Sequence, residues 1–353
     1  MPLVPSRQSF CALSLLLMLP VLQAAAADTH GHYPVTLDNC GTTVTFDTPP
    51  RRAVSIGQNT TEILLSLGLA DRMAASAVWI GDVPENLKAA NERVPRLSSG
   101  IPGFESVLGQ RPDLVAAQFE TDVGAQGRVA RREQFAALGV PTYLSPTDCV
   151  GRLHGGDTNS DGARTKAFDM ALVHREIQEL ADIFNVSERG HRLVDALRAR
   201  ESHAVAEAAG TPQDLSMVWW FSSAELAGDA WVAGQFGAPG YIMKALGAHN
   251  VIESREEWPA VSWERIAASD PDVIVLGRMT RRNFPADDVA QKIDFLEHDP
   301  VTREMSAVKH HRFIVLDAQA MNPTLRTVAG LETVADGLRA LGLTGQRPPD
   351  EAP

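Results

Sequence analysis

Short apolar runs alternate with segments whose apolar residues recur every three or four positions through most of this chain. Residues 53–57 form an apolar run of strand length. Ile63, Leu64 and Leu67 then recur at the spacing of one helix face. Gly68 follows directly, as it often does after the last turn of a helix. The pattern therefore predicts a strand and then a helix that ends at Gly68.

The same order of parts continues along the chain and then repeats in its second half. Further strands are predicted at residues 114–117, 140–144, 217–221, 273–276 and 312–316. Further helices are predicted at residues 104–108, 134–138, 241–246 and 261–266, and residues 305–308 precede the last strand. The phrases ESVLGQRPDLVAA and WERIAASDPDVIVL, one from each half, are similar to each other. Strands that alternate with helices predict a parallel sheet covered by helices in each half.

Two longer helical patterns lie between the halves. The second of them, at residues 187–209, has Leu193, Leu197 and Ala204 on one face and charges on the other, and Ser187 is a plausible N-terminal cap. We therefore predict an α/β protein with two Rossmann-like lobes, a long rigid interdomain helix between them and a cleft between the lobes. Ligands of open α/β sheets bind beyond the carboxyl ends of the strands, which in this arrangement face the cleft.

The domain boundaries follow from these patterns. We predict a signal peptide at 1–27, an N-terminal α/β lobe at 28–186 with a loop insertion at 150–166, the interdomain helix at 187–210, a C-terminal α/β lobe at 211–345 and a disordered tail at 346–353.

The first residues have the order of parts typical of a secretory signal peptide. Arg7 is the only charge before Asp28, residues 10–19 are apolar, and an alanine run ends at Ala27. The apolar run is too short to span a bilayer. We therefore predict cleavage near Ala27 and a mature protein in the periplasm.

Charge and cysteine content narrow the classes of function. Removing Arg7 from the 32 basic residues leaves 31 against 44 acidic residues, a net charge of −13, which argues against nucleic acid and anionic membranes as partners. Cys40 and Cys149 are the two cysteines of the predicted mature chain. In an oxidising compartment we expect them to form a disulfide, the alternative being two buried free thiols.

Several phrases, in a fixed order, carry a resemblance to a known family. They include SIGQNTTEILLSLGLADRM, RPDLVAA, ALGVPTYLSP, WPAVSWERIAASDPDVIVLG and MSAVKHHRFIVLD. From about Tyr33 to Leu343 the chain resembles the periplasmic substrate-binding proteins of ABC importers for ferric siderophores, cobalamin and haem. The resemblance implies two lobes, a monomer, and an inner-membrane permease with its ATPase as partner. It also implies a docking carboxylate on each lobe that faces permease arginines.

Glu62 has a local and a functional interpretation. Asn59 with Glu62 three positions later has the spacing of a helix capping box. The resemblance implies instead that Glu62, six residues before Gly68, is the docking acid of the first lobe. At the corresponding position of the second lobe, six residues before Gly247, Tyr241 replaces the expected Glu.

Aromatic residues cluster near the predicted strand ends. We predict that Trp79, Trp219, Trp231 and Trp258 line the cleft, because a bulky ligand binds well against rigid aromatic walls. The alternative is core packing, and of Trp219 and its neighbour Trp220 at least one is expected in the core.

Basic residues follow the predicted strand at 273–276. Arg278 and Arg281 could hold an anionic chelate, or they could lie in a solvated loop. Gln118 and Glu120, after the strand at 114–117, are further cleft candidates.

One loop resembles the start of a calcium site. Asp157, Asn159 and Asp161 have the D-x-N-x-D spacing, and Gly162 follows. The twelfth position should be an acid but is Phe168, so a polar surface insertion is the preferred interpretation. We predict no other metal site and no cofactor.

These observations predict a periplasmic solute-binding component of an ABC importer that carries a ferric siderophore or a similar metal chelate and is not an enzyme. The alternatives are a cobalamin-binding or haem-binding protein of the same family, or a periplasmic hydrolase that acts on a metal chelate. The hydrolase is disfavoured because the chain lacks the G-x-S-x-G and H-E-x-x-H motifs.

Overall fold

The apolar runs of the two halves of the chain form the strands of two separate sheets. The structure, a computed structural model, describes residues 33–155, 158–159 and 161–345. We call residues 33–186 the N-terminal half and residues 211–345 the C-terminal half. Each half contains one large sheet with parallel central strands, so the α/β class predicted from the sequence is confirmed.

The strands of the N-terminal half are β1 (Val35–Asn39), β2 (Thr42–Phe46), β3 (Ala53–Ile56), β4 (Met73–Ala77), β5 (Arg96–Ser98), β6 (Leu114–Ala117), β7 (Thr142–Leu144), β8 (Arg152–Leu153) and β9 (Ala163–Arg164). Strands β3 to β7 form a parallel sheet in the order β5-β4-β3-β6-β7. All residues of β3 and β6 are buried, as expected of central strands with helices on both faces. Strands β1 and β2 form one antiparallel hairpin, and β8 and β9 form another.

The helices of the N-terminal half are α1 (Gln58–Ser66), α2 (Lys88–Asn91), α3 (Phe104–Leu108), α4 (Glu120–Val123), α5 (Arg132–Ala136), α6 (Pro146–Cys149) and α7 (Ala171–Ile183). Helix α1 begins at Gln58 and is preceded by Gly57, with no side-chain cap. The predicted capping box of Asn59 and Glu62 is therefore wrong. Gly57 is required at this position because its φ is 121° and a Cβ on it would lie 2.2 Å from the Cβ of Gln118.

Helix α8 (Ser187–Glu207) connects the halves and packs against α7. Its 21 residues give it a length of about 30 Å. Ser187 is the first helical residue and not the cap predicted from the sequence, because Val186 takes the cap position without a side-chain hydrogen bond.

The strands of the C-terminal half are β10 (Ser216–Ser222), β11 (Ala230–Val232), β12 (His249–Asn250), β13 (Ala260–Val261), β14 (Val273–Arg278) and β15 (Phe313–Asp317). They form a sheet in the order β13-β11-β10-β14-β15, with β12 also paired to β10. Strands β10, β14 and β15 are parallel, whereas β11 and β13 are antiparallel to their neighbours. The helices are α9 (Ala238–Ala245), α10 (Trp263–Ser269), α11 (Val289–His298), α12 (Ser306–Lys309) and α13 (Thr327–Ala340).

The two halves pack directly against each other. Ala238 at the start of α9 and Val328 in α13 belong to the same buried apolar cluster as Val173 and Ile177 of α7. Helix α13 also packs along α8. The apolar core is therefore continuous between the halves.

Some predictions concern residues outside the described ranges. The signal peptide at 1–27 and the tail at 346–353 both lie outside them. Across the described part of the chain, no helix combines the length and apolar character that a membrane span requires.

Cys40 and Cys149 form a disulfide, the bridge that the sequence predicts. Their separation of 109 residues means that the bridge closes a long loop of the unfolded chain. We expect the variant Cys40→Ser/Cys149→Ser to lose up to about 4.7 kcal/mol of unfolding free energy, because the unfolded chain gains the entropy of the open loop. Urea denaturation of the oxidised protein and of the variant measures this loss. Equal midpoints and slopes would contradict it.

Candidate ligand-binding site

A cavity of about 670 Å³ lies where the two halves meet. Both halves contribute to its wall. The residues that line it are Ile80, Gln118, Phe119, Thr147, Asp148, Arg152, Asn159 and Asp161 from the N-terminal half, and Phe221, Trp231, Glu256, Glu257, Trp258, Ala260, Gln319, Asn322 and Pro323 from the C-terminal half. Gln118 directly follows β6 and Gln319 lies just after β15, so the cavity is at the carboxyl ends of strands of both sheets, as predicted.

A second cavity of about 170 Å³ adjoins the first. The two share Ile80, Phe221, Trp231 and Gln319. The smaller cavity is also lined by Arg278, Met279, Arg281, Phe284, Asp287 and Asp317, among others. Together the two cavities form one continuous site for a large ligand.

Aromatic rings form the apolar wall of this site. The rings of Phe221 and Trp258 lie with centroids 4.4 Å apart at an angle of 30°. Trp231 meets Phe284 edge to face at 5.2 Å, and Phe284 remains 39% exposed. Such paired rings offer a rigid surface for a planar or bulky ligand.

Carboxylates dominate the charged part of the larger cavity. Asp148 and Glu257 lie 3.0 Å and 3.4 Å from a terminal nitrogen of Arg152, which balances part of their charge. Glu256 accepts a hydrogen bond from the peptide N–H of Asn159. Burial raises the pKa of Asp161 above its usual value. With four carboxylates and one arginine among the described lining residues, this cavity is net negative.

Two arginines contribute positive charge to the wall of the smaller cavity. Arg278 and Arg281 are exposed at its wall. In the described residues neither forms an ion pair, whereas the neighbouring Arg282 bonds to Asp288 at 2.6 Å. Asp287 and Asp317 also line the smaller cavity, so its two arginines are matched by two carboxylates, whereas acidic side chains outnumber basic ones in the larger cavity.

The structure brings together four of the residues predicted for the cleft and separates two others. Trp231, Trp258, Arg278 and Arg281 line the two cavities. Whether they contact a ligand stays a prediction. Gln118, a further candidate, also lines the larger cavity.

The prediction that Trp79 and Trp219 line the cleft is wrong. Trp79 is 4% exposed, donates a hydrogen bond to Ser76 and packs under the guanidinium of Arg96 at 4.3 Å. Trp219 is fully buried in the apolar core of the C-terminal half. Both rings are occupied by protein contacts, because their side chains project into the layers that cover the sheets.

The docking role predicted for Glu62 is also wrong. It is 1% exposed and accepts hydrogen bonds from Nε and Nη2 of Arg326 at 2.9 Å and 2.5 Å. Gln58 donates to the same carboxylate at 2.9 Å. A docking acid has to be exposed, so the structure contradicts the docking role predicted for Glu62: its carboxylate is buried against an arginine of the other half.

Tyr241, at the position where the resemblance implies an acid in the second half, is also turned inward. Its hydroxyl donates a hydrogen bond to Glu201 of α8, and its ring meets Phe168 edge to face at 5.7 Å.

The described part of the calcium-like loop forms part of the wall of the larger cavity. Asp157 lies outside the described residues. The amide of Asn159 donates to the carbonyl of Trp258 at 2.9 Å, and Asn159 Oδ1 accepts from the peptide N–H of Asp161. Over the described ranges, no group of three or more His, Cys, Asp or Glu side chains is arranged to hold a metal ion.

Sequence reasoning did not identify several polar residues of the site. Gln319 and Asn322 follow β15, and their place just after a predicted strand was the available signal. Arg152 and Glu257 gave no local signal, because they are distant in sequence and only the fold pairs them.

Comparison with known proteins agrees with this arrangement. The family model described as periplasmic binding protein matches residues 54–320, most of the chain. The chain belongs to the periplasmic binding protein family.

Similar proteins of this family come from diverse organisms. An uncharacterized ABC transporter substrate-binding lipoprotein of Bacillus subtilis, YvrC, is 22% identical over 87% of this chain and 86% of its own length. A cobalamin-binding protein of Halobacterium salinarum is 26% identical over 73% of this chain and 62% of its own length. The crystal structure of an ABC-type Fe3+-hydroxamate transport system protein from Saccharomonospora viridis superposes with a TM-score of 0.67 at 24% identity and covers 87% of this chain and 99% of that one. The solved structure supports the fold.

A buried carboxylate organises the contact between the halves of this periplasmic binding protein. Glu176 of α7 is fully buried and accepts hydrogen bonds from Asn59, Thr60 and Ser145. Asn59 Oδ1 in turn accepts from the peptide N–H of Leu325 in the other half at 2.9 Å. Glu176 therefore fixes the orientation of the Asn59 side chain, which joins α1 to the C-terminal half.

The Glu62–Arg326 pair gives a stability prediction. We expect Arg326→Met to lower the free energy of unfolding by about 3–5 kcal/mol, because it leaves the buried Glu62 carboxylate without its cation. The double variant Glu62→Gln/Arg326→Met should recover most of this loss, since it removes the unpaired charge. Chemical denaturation of the three proteins measures both values. A loss below about 1 kcal/mol in the single variant, as for a surface pair, would contradict the burial of this contact.

Glu176 gives a prediction for pH dependence. Burial raises its pKa from 4.5 to about 7, so between these values the folded protein binds more protons than the unfolded chain. Stability therefore falls as pH rises through this window, by roughly 3 kcal/mol in total for this group.

The isosteric variant Glu176→Gln tests this dependence. Its amide can donate to Thr60 while its oxygen accepts from Asn59, so the network is kept without the charge. We expect the variant to gain stability over the wild type as pH rises from 5 to about 7. Denaturation at a series of pH values measures the difference, and Glu188→Gln, which removes an exposed carboxylate from α8, is the control. A difference that does not change with pH would refute the prediction.

Proposed function

We propose that the protein is the solute-binding subunit of an ABC importer, that it binds a bulky metal chelate in the two adjoining cavities, and that it delivers this ligand to the permease unchanged. The observation that carries the proposal is the site itself: a cavity of about 670 Å³ with an aromatic wall, at the carboxyl ends of strands from both sheets. A large preformed cavity lined by aromatic and polar side chains is typical of a small-molecule site. The family is one of solute-binding proteins, and we propose no reaction.

In this proposal the two halves act as lobes. The N-terminal half and the C-terminal half each contain one sheet, and α8 connects them as a single helix of 21 residues. A helix of this length with α7 and α13 packed along it resists bending. Ligand binding then involves small adjustments at the cavity and no wide opening.

The residues of the larger cavity favour a chelate whose metal ion is already coordinated by the chelating molecule. Its described lining includes no His, Tyr, Cys or Met side chain. Haem iron is usually held by one of these four side chains. A chelate whose metal is already fully coordinated needs only shape, aromatic contact and hydrogen bonds. Across the described lining of both cavities, Met279 of the smaller cavity is the single side chain of these four types, so haem iron would find no His, Tyr or Cys there. We therefore propose a ferric siderophore as the ligand and not haem.

A corrinoid is the second candidate ligand. It is favoured by the relatives of this chain that are named cobalamin-binding or vitamin B12-binding proteins, at 26% identity for the first of each. The charge of the site is compatible with it, because amide groups on the rim of a corrin ring can donate hydrogen bonds to the cavity carboxylates.

The proposal includes export and a membrane partner. Residues 1–27 act as the signal peptide, the mature chain is a periplasmic monomer, and an inner-membrane permease with its ATPase receives the ligand. The docking surface on the permease side does not include Glu62, which is buried against Arg326.

Quenching of tryptophan fluorescence tests the proposal. We expect saturable quenching by one member of a panel of ferric trihydroxamate, ferric tricatecholate and cyanocobalamin, and none by haem, because Trp231 and Trp258 line the site. The variant Trp258→Ala should bind that member at least about tenfold more weakly, as for an anchoring aromatic contact.

Trp79→Phe is the matched control for that experiment. Trp79 is buried away from both cavities, so its variant should bind like the wild type. Absence of quenching by every member of the panel, equal weakening in both variants, or chemical conversion of the bound compound would each refute the proposal.

A further inference from the structure

Lys292 of α11 is a buried cation that does not itself line either cavity. Its side chain is fully buried, whereas the other lysines of the chain, Lys88, Lys166, Lys244 and Lys309, are all exposed. Removing an ammonium group from water is unfavourable unless hydrogen bonds to the protein replace those to water. The partners of these hydrogen bonds therefore indicate what Lys292 does.

The ammonium group of Lys292 is hydrogen-bonded to main-chain carbonyls of two strands. Its Nζ donates to the carbonyl oxygens of Trp220, Phe221 and Gly277 at 3.1 Å, 2.6 Å and 2.8 Å. An ammonium group has three N–H donors, so each of them has an acceptor here. Trp220 and Phe221 belong to β10 and Gly277 belongs to β14, close to the carboxyl ends of both strands. One side chain of α11 thus bonds to both strands at the edge of the sheet that borders the ligand site.

Lys292 bonds to these strands at the point where their own pairing ends. The last pair between β10 and β14 is Trp220 with Leu276. On its other side β10 pairs with β11 through Trp220 and Ser222, and the register shifts between these two residues. Phe221 therefore lies in a bulge and belongs to none of the described strand pairs. Bulges change the direction of a side chain and are frequent beside functional sites.

Two residues of the cavity wall depend on these strand ends. The ring of Phe221 lines both cavities and lies 4.4 Å from the ring of Trp258. Gly277 is followed directly by Arg278, which lines the smaller cavity. The strand ends approach each other closely, because a Cβ on Gly277 would lie 3.1 Å from the carbonyl oxygen of Phe221. The places of both wall residues thus follow from the distance between the strand ends, which Lys292 bridges.

Asp287 supports the same arrangement from the segment that precedes α11. Its carboxylate is buried, accepts a hydrogen bond from the hydroxyl of Ser222, and accepts from the peptide N–H groups of Asn283 and Phe284 at 2.6 Å and 3.0 Å. Burial lowers the pKa of Lys292 to about 7, and the negative charge of Asp287 opposes this decrease. Below that pH the ammonium form prevails, which can donate to all three carbonyls.

We propose that Lys292 is a positioning residue of the ligand site: it joins the carboxyl ends of β10 and β14 beyond the last pair of their ladder and thereby sets Phe221 and Arg278 at the cavity wall. Its effect on ligand affinity rests on the proposed function, whereas the joining of the strand ends does not.

Heteronuclear NMR of the ligand-free protein, labelled with nitrogen-15 in lysine, tests the hydrogen bonds. The pH is set below about 7, where the Lys292 ammonium is charged. We expect a lysine ammonium signal whose protons exchange slowly with water, because Lys292 is buried with all its donors bonded. The exposed lysines should give no such signal, and Lys292→Met should remove it. A wild-type spectrum without a slowly exchanging ammonium group would overturn the proposal.

Amide hydrogen exchange of Lys292→Met tests whether these bonds hold the strand ends together. Methionine has a similar length but no donor, so we expect exchange at the amides of Ser222 and Arg278 to rise at least about tenfold. Exchange in β3, in the other half, should not change. Equal rates at both amides in the variant and the wild type would contradict the proposal. If Lys292→Met does not fold, Lys292→Gln, which has two N–H donors on a shorter side chain, replaces it with the same expectation.

Ligand affinity tests the positioning role, with ferric tricatecholate, ferric trihydroxamate and cyanocobalamin as probes. Lys292→Met should bind the probe that the wild type binds at least about tenfold more weakly. When Phe221→Ala is already present, the same substitution should weaken binding by less than about threefold, because no ring is left to position. Leu296→Ala is the matched control: Leu296 lies one turn further along α11, is fully buried in the core, and its variant should keep wild-type affinity.

Two outcomes of the affinity measurements would overturn the positioning role. One is equal weakening by Leu296→Ala and Lys292→Met, which would mean a general loosening of the C-terminal half. The other is an equal effect of Lys292→Met with and without the ring of Phe221. If the wild type binds none of the three probes, the proposed function fails for these ligands, and the NMR and exchange results alone decide whether Lys292 joins the strand ends.

Discussion

Burial of a carboxylate costs less free energy when a cation lies beside it, and two such pairs join the halves of this protein. Glu62 of the N-terminal half pairs with Arg326 of the C-terminal half, and Glu257 of the C-terminal half pairs with Arg164 of the N-terminal half. Each half thus supplies one acid and one base. Because neither half can leave without exposing or stranding a charge, the pairs fix the relative position of the two sheets and the shape of the cavity between them.

The chemistry of the site follows from this fixed geometry. Phe221, Trp231 and Trp258 give apolar contact area, while carboxylates outnumber arginines in the larger cavity and the smaller cavity adds two arginines with two carboxylates. In the proposed function, the protein supplies shape and hydrogen bonds, and the chelate supplies the coordination of the metal. This division of roles suits a subunit that has to release its ligand intact.

Much of the fold could be predicted from the sequence, whereas half of the site could not. Strands such as Leu114–Ala117 and the helix Phe104–Leu108 have the predicted bounds, because a short apolar run or a helical period is a local property. Burial of a particular side chain is set by its tertiary neighbours. Glu62 was expected at the surface because the resemblance implies a docking acid at this position, and no local pattern indicates its contact with Arg326, 264 residues later. Trp79 and Trp219 follow or form strands as Trp231 does, and only the fold decides which ring faces the cavity.

Gln118 connects the wall of the cavity to this network with very little free space. Its Cβ lies against the backbone of Gly57, and its Oε1 accepts from the peptide N–H of Asn59 in the first turn of α1. One turn further along the same helix, Glu62 contacts Arg326. Because Gln118 is packed this closely, a shift of its side chain by a few tenths of an ångström would displace α1. Gln118, Asn59, Glu62 and Arg326 thus form one series of neighbours that extends from the cavity wall to the contact between the two halves.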